Sequence, residues 1–393
     1  MRVLISTWGW RSHFFPLVPL GWALRAAGHE VLVASQPAMA AAITAAGLPA
    51  VAVGADLDFA EVFGGRIGRV ADEDAKEPAP DTVAPMITAD GGVVRYADAM
   101  LDALVAAGRS WRPDLVVYEP YNLAGPIAAA ALDVPGVRHL WGPDSSTGIG
   151  IDEDEIIAPR AARLGAGRVD LAGALTLDPC PAPMQVPLAG PAAPIRFVPY
   201  NGPAVLPDWL LAPPDRPRIC LTWGTMMAGV DLPGTLALRT VAAALCGLGA
   251  EIVVAVDAAQ HADLAGLPAD VRVADAPLAL HLLLPSCRVL VQQGGAGTTM
   301  TGLARGVPQL VLPQVSDQHF NAVRLAETGA GTVLTDDAVT AGRIRERVAD
   351  LLAADHWRAA ARVAADRVAA APSPADVVTT LHELVHPREV VPA

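Results

Sequence analysis

Residues 288–330 read RVLVQQGGAGTTMTGLARGVPQLVLPQVSDQHFNAVRLAETGA. Val289, Leu290 and Val291 form a short apolar run, Gly294, Gly295 and Gly297 break it, and Thr298 to Arg305 reads as a helix. A strand that runs through glycines into a helix start is an anion-binding geometry. Glycine lets a ligand approach the backbone closely, and the first helical N–H groups have no partner within the helix. A phosphate is the expected anion.

The same alternation extends on both sides of this stretch. Upstream, strands are expected at Ile219 to Thr222, Glu251 to Val256 and Val271 to Ala274, with helices near Leu232 to Gly247 and Leu278 to Leu284; Gln309 to Leu312 is the next strand downstream. A second series opens the chain: strand Arg2 to Thr7, a helix from Pro16 to Ala27 that Gly28 ends, strand Glu30 to Ala34, helix Pro37 to Ala46 and strand Ala50 to Val53. Helix Val93 to Ala107, strand Leu115 to Tyr118, helix Leu123 to Leu132 and strand Gly136 to Leu140 continue it. Such alternation specifies doubly wound parallel sheets with ligands at the carboxyl ends of their strands. Two α/β halves result, the length of 393 residues being more than one core usually serves.

The expected organisation is an N-terminal domain over 1–200, a proline-rich linker over 201–217, a C-terminal domain over 218–374, and a final helix and tail over 375–393 packing back on the first domain. From Thr340 to Ala371 one amphipathic helix is expected. Two segments do not alternate: Asp56 to Asp90 and Asp144 to Pro194 are rich in glycine, proline and acid, and read as irregular lids or binding loops.

Composition removes several function classes. The net charge of −13 disfavours nucleic acid and anionic membrane as partners. Cys180, Cys220, Cys246 and Cys287 show no metal-ligand spacing and no disulfide framework. Lysine occurs once, at Lys76 in an acidic loop, which leaves none for a phosphate loop or a Schiff base. The N-terminal apolar run is too short for a signal peptide and no stretch reads as a membrane span, so a cytoplasmic location is expected. Gly295 and Gly297 begin a dinucleotide fingerprint, but Met300 stands where its last glycine belongs, so a nicotinamide or flavin cofactor is not expected.

The glycine loop, the VPQLVLP strand and the Asp317–Gln318 pair, together with SHFFPLVPLGWALRAAGHEV from Ser12, CLTWGT from Cys220 and ADAPLALHLLLPSC from Ala274, resemble the family 1 glycosyltransferases of the GT-B fold. The likeness is to those of actinomycete antibiotic pathways, macrolide and enediyne types included. It implies two Rossmann-like domains facing each other across a cleft, with C-terminal helices. It also implies an inverting transfer without cofactor or metal, from a nucleoside diphosphate sugar, thymidine diphosphate with a deoxysugar, to a hydroxyl of a hydrophobic polyketide or enediyne aglycone.

Residue by residue, the resemblance puts the donor diphosphate at Gln293, Gly294, Gly295, Gly297 and Thr298, with Gly224 and Thr225 beside it. The base lies at Ala276, Pro277 and Leu278, and the sugar at Asp317 and Gln318; a helix-capping role for Asp317 is the alternative. His13, between the first strand and Pro16, matches the general base, an imidazole suiting removal of a hydroxyl proton. Glu119 matches the acid that orients it, unless one residue of register puts Tyr118 or Tyr121 there. Trp8, Trp10, Phe14, Phe59 and Trp141 are the expected acceptor wall, whereas Trp22 and Trp111 read as core. The acidic runs Asp72 to Asp74 and Asp152 to Glu155 read as solvated loops, not metal sites.

One position pair departs from the family pattern. Two histidines usually precede the glycines, and this chain has Gln292 and Gln293. An amide donates to phosphate without supplying charge, and charge-assisted bonds are roughly twice as strong. Weaker donor binding, a compensating cation and lost activity are the three readings. Rival functions are a nucleotide-sugar epimerase on the same fold and a catalytically weak auxiliary protein. Homodimerisation is left open.

Overall fold

The computed structural model describes residues 1–58, 61–62, 88, 91–146, 150–224, 236–268, 271–274, 278–314, 316–335 and 339–387. Thirteen short strands among them form two all-parallel sheets. The first holds β1 (Arg2–Ser6), β2 (Glu30–Ser35), β3 (Ala50–Ala52), β4 (Leu115–Tyr118), β5 (Gly136–His139), β6 (Leu175–Asp178) and β7 (Ala192–Pro194). Its spatial order is β3-β2-β1-β4-β5-β6-β7. The second holds β8 (Arg218–Leu221), β9 (Glu251–Val254), β10 (Val271–Val273), β11 (Val289–Gln292), β12 (Gln309–Val311) and β13 (Gly331–Val333) in the order β10-β9-β8-β11-β12-β13.

Both orders reverse direction once, between β1 and β4 and between β8 and β11, and a reversal of that kind opens a crevice at the strands' carboxyl ends. The central strands read as continuous apolar runs because helices cover both faces; Val3, Leu4, Ile5, Val289, Leu290 and Val291 are all fully buried. Register is set by direct pairing, Ile5 with Val117 in the first sheet and Val291 with Leu221 in the second.

The described residues 144–146 and 150–194 are not an irregular lid. They contain a π-helical turn (Glu153–Ile157), a helix (Ala158–Arg163) and the two strands β6 and β7, which extend the first sheet. The acidic run 152–155 caps that turn, Asp152 accepting from the Glu155 N–H at 2.9 Å. The expected helix from Thr340 is two helices, Ala341–Ala353 and Asp355–Ala370, broken where Ala354 turns extended. Residues 63–87, with Lys76 and the acidic run Asp72 to Asp74, lie outside the described residues.

The halves meet in an apolar cluster that joins Cys180, Met184 and Phe197 to Met300, Leu303 and Leu325. Arg324 strengthens it by donating to the carbonyls of Met184 (2.9 Å) and Gln185 (2.6 Å). The last helix, Pro374–Val385, opens with a capping box between Ser373 and Asp376 and buries Val377, Val378 and Leu381 in the same cluster as Val18 and Leu20. It therefore ends on the first half. Among the described residues no helix is long and apolar enough to cross a membrane.

Candidate active site

The two crevices face a common cleft of about 580 Å³, lined from both halves. His13 enters it from a short helical turn, Arg11–Phe14, directly after β1. Glu119 follows β4, the neighbouring strand, so the switch point brings the two together. His13 Nδ1 lies 3.3 Å from Glu119 Oε1, at ion-pair distance although not aligned as a hydrogen bond. Glu119 is fully buried, and its Oε2 accepts from the Tyr121 N–H at 2.8 Å, which leaves Oε1 turned to the imidazole. Asn122 donates to Ser6 Oγ at 2.9 Å and so ties the ends of the two strands. Of the register alternatives, Tyr118 packs inward, and Tyr121 contributes its backbone to Glu119 while its ring lines the cleft.

The helical turn begins at Arg11, before Pro16, and the aromatic pair within it is placed against expectation. Phe14 is fully buried under the first sheet with Leu17 and Val18, and Phe15 lines the cleft in its place. Adjacent residues on a helix point about 100° apart, so when one of the two is buried the other can face the cleft. Trp8, Trp10 and Trp141 do line the cleft. Phe59 lies outside the described residues. Trp22, expected in the core, is 41% exposed and leans on Tyr200.

On the opposite wall the helix after β11 spans Ala296–Ala304, two residues earlier than predicted, with Gly295 at its N-cap. Among the described residues no side chain caps it and its first turn carries no acid, so its leading N–H groups are available to an anion. Gln293, Gly295, Gly297 and Thr298 line the cleft beside Gly224 and Leu278. Gly294 does not. It sits behind the wall at φ +106°, where a Cβ would lie 2.5 Å from the Gln318 carbonyl oxygen. Its role is close approach of the glycine turn to the helix Ser316–Glu327. Thr225, Ala276 and Pro277 lie outside the described residues.

The two glutamines differ in environment. Gln292 is buried, accepts from the Gly294 N–H (2.9 Å) and donates to Thr299 Oγ1 and Gln309 Oε1 (2.9 Å each). It shapes the turn from inside. Gln293 is also buried but faces the cleft; its Nε2 lies against Gly224, and its Oε1 has no hydrogen-bond partner among the described residues.

Asp317 stands in the first turn of the Ser316–Glu327 helix and reaches the cleft with Gln318. Burial pushes its carboxyl up to about 6, with proximity to His13 acting in the opposite direction. Gln318 Oε1 accepts from the Gln314 N–H at 2.9 Å. The sequence reading missed two further cleft residues, Tyr200 at the end of the first domain and Asn201 at the start of the linker. Asn201 spans to the second half by donating to Thr301 Oγ1 (3.2 Å) and accepting from the His281 N–H (3.0 Å). Proline density marked this segment as a spacer and hid its second use.

The cleft thus sets an imidazole–carboxylate pair on one wall against an uncapped helix start on the other. Among the described residues no group of three or more His, Cys, Asp or Glu is placed to hold a metal ion.

Two family models cover most of the chain: the erythromycin biosynthesis protein CIII-like N-terminal domain matches residues 22–224 and the C-terminal domain matches 239–384. The TDP-daunosamine transferase DnrS of Streptomyces peucetius is 38% identical over 98% of this chain and 97% of its own length. The tylactone mycaminosyltransferase of Streptomyces fradiae is 38% identical over 98% and 92%. Among solved structures, the glycosyltransferase VinC in complex with dTDP superposes with a TM-score of 0.81 at 33% identity, covering 98% of this chain and 99% of its own. The spinosyn rhamnosyltransferase SpnG complexed with spinosyn aglycone does so with a TM-score of 0.80 at 33% identity, over 97% and 100%. The chain belongs to the EryCIII-like glycosyltransferases, GT-B enzymes of actinomycete natural-product biosynthesis.

Proposed function

We propose that this glycosyltransferase moves a deoxysugar from a thymidine diphosphate donor to a hydroxyl of a polyketide-derived aglycone, with inversion at the anomeric carbon. The observation that carries the reading is the opposition of His13 and Glu119 to the uncapped helix start at Gly295. His13 Nε2 takes the acceptor proton, the acceptor oxygen bonds to the anomeric carbon, and the bonding pair of the broken C–O bond leaves with the nucleoside diphosphate. The leading N–H groups of the Ala296–Ala304 helix and the Thr298 hydroxyl receive the departing charge. Gln293 adds a neutral donor to phosphate, while Asp317 and Gln318 take sugar hydroxyls. No covalent sugar intermediate is needed.

The donor reading is supported by the TDP named with DnrS and VinC, and the acceptor reading by acceptors such as tylactone and erythronolide in relatives' names. An enediyne aglycone finds no support among them, so the polyketide class is preferred. Full-length relatives that are transferases remove the epimerase rival. The auxiliary-protein rival loses half its motive because Gln292 braces the turn and does not face the cleft.

The test is turnover of thymidine diphosphate deoxysugars with a panel of polyketide aglycones. A glycoside formed by the wild type and lost in His13→Ala supports the reading. Unchanged turnover in that variant removes His13 from the mechanism.

A further inference from the structure

Three indoles surround His13. The ring centroids of Trp141, Trp8 and Trp10 lie 4.3, 4.9 and 5.0 Å from the imidazole. Trp8 and Trp10 stand at 62° and 86° to it, edge to face, and Trp141, the nearest, is tilted at 60°. An aglycone wall would need indole surface to offer, yet Trp8 is 2% exposed and Trp141 9%. Other rings cover part of both: Tyr96 lies 5.0 Å from Trp8 and Tyr121 is stacked 5.6 Å from Trp141. Trp8 is stacked on Trp10 at 5.2 Å, and all three indoles lie within 5.0 Å of the imidazole centroid.

An indole face attracts a cation within about 6 Å of its centroid, most strongly where water is excluded. A base that starts neutral becomes a cation only as it accepts the proton. An interaction made with the cation and not with the neutral ring lowers the barrier without tightening the ground state. Glu119 supplies one such interaction, on the Nδ1 side.

We propose that Trp8, Trp10 and Trp141 form an aromatic cage that stabilises the imidazolium of His13 as it takes the acceptor proton, acting through His13 and not as the aglycone-binding wall. The three are positioning residues, and the proposal rests on the reading of His13 as the base. Proton and electron accounting is unchanged: the proton ends on Nε2, and the bonding pair departs with the nucleoside diphosphate.

The experiment compares Trp141→Leu with Trp141→Phe, using the thymidine diphosphate sugar and polyketide aglycone that the wild type converts. Leucine and phenylalanine both fill the site with apolar atoms, but only phenylalanine presents a π face. The expected result is a kcat at saturating aglycone about tenfold lower in Trp141→Leu, with most of it recovered in Trp141→Phe. The Kd for thymidine diphosphate should stay within twofold. Trp10→Leu, at the partly exposed rim, repeats the measurement if Trp141→Leu does not fold. A kcat within twofold of wild type in the leucine variants, or equal losses in leucine and phenylalanine variants, overturns the cage. His13→Ala separates this from the reading beneath it. Wild-type turnover in that variant refutes the base itself, whereas a dead His13→Ala beside active leucine variants refutes only the cage.

Discussion

Replacing Glu119 by glutamine tests the proposed dyad with the least disturbance of shape. The carboxylate is fully buried and 3.3 Å from His13 Nδ1. Glutamine retains an oxygen for the Tyr121 N–H, now held at 2.8 Å by Oε2, and in that orientation turns an NH2 toward His13. An NH2 facing Nδ1 favours the tautomer with its proton on Nε2, the atom that must accept one. The lost charge adds to this. Coulomb's law at an effective dielectric constant of about 20 gives about 5 kcal/mol for the imidazolium–carboxylate pair at that separation. At about 1.4 kcal/mol per decade, the upper bound is a loss of about 10³- to 10⁴-fold in kcat. Donor KM should change less than about threefold, because the donor groups stand on the other half of the molecule. Thermal stability should change little, since glutamine keeps the shape of the side chain and its bond from the Tyr121 N–H. Steady-state kinetics with both substrates varied, beside a melting curve, reads all three quantities. A kcat within about threefold of wild type would show that Glu119 does not hold the base.

Three further outcomes follow from particular contacts. Gly294→Ala puts a Cβ 2.5 Å from the Gln318 carbonyl oxygen at φ +106°, so chemical denaturation should show a loss of at least about 2 kcal/mol with weakened thymidine diphosphate binding; neutral behaviour would refute the close-approach role. Asp317 has a folded-state carboxyl raised to about 6 from an ordinary 3.8, so the folded protein binds its proton more tightly and wild-type stability is lost as pH rises from about 4 to 6. Asp317→Asn should therefore match wild type near pH 4 and exceed it near pH 7 by at most about 3 kcal/mol, less where water reaches the carboxyl; a gap that closes as pH rises has the wrong sign. Direct displacement requires inversion, so proton NMR of the glycoside should show the anomeric configuration opposite to the donor's, and retention would demand a nucleophile that the proposed mechanism omits.

The central strands of both sheets were legible because helix coverage makes them apolar throughout, and the turn glycines and prolines mark where each unit ends. The edge was not. Ala192–Pro194 ends in proline and follows Pro191, a composition that reads as loop, yet an edge strand tolerates proline where the N–H side has no partner. The break at Ala354 has no sequence signal either, alanine being the best helix former; Trp357 Nε1 donates across it to Asp350 at 2.9 Å. His13 and Glu119 could be placed because each follows a strand at the switch point. Phe14 and Phe15 could not be told apart, since one helical step decides which faces the cleft. The departure at Gln292 and Gln293 was visible as two equal substitutions, and only three-dimensional contacts separate the inward brace from the cleft-facing amide.

A crystal structure of the wild-type protein with thymidine diphosphate is the most direct test of the site. The diphosphate should lie at the start of the Ala296–Ala304 helix, its oxygens within hydrogen-bond distance of the Gly297 and Thr298 amides and of Gln293 Nε2, with its terminal phosphate facing His13 across the cleft. A nucleotide seated on the first half, or a diphosphate away from the helix start, would contradict the proposed mechanism.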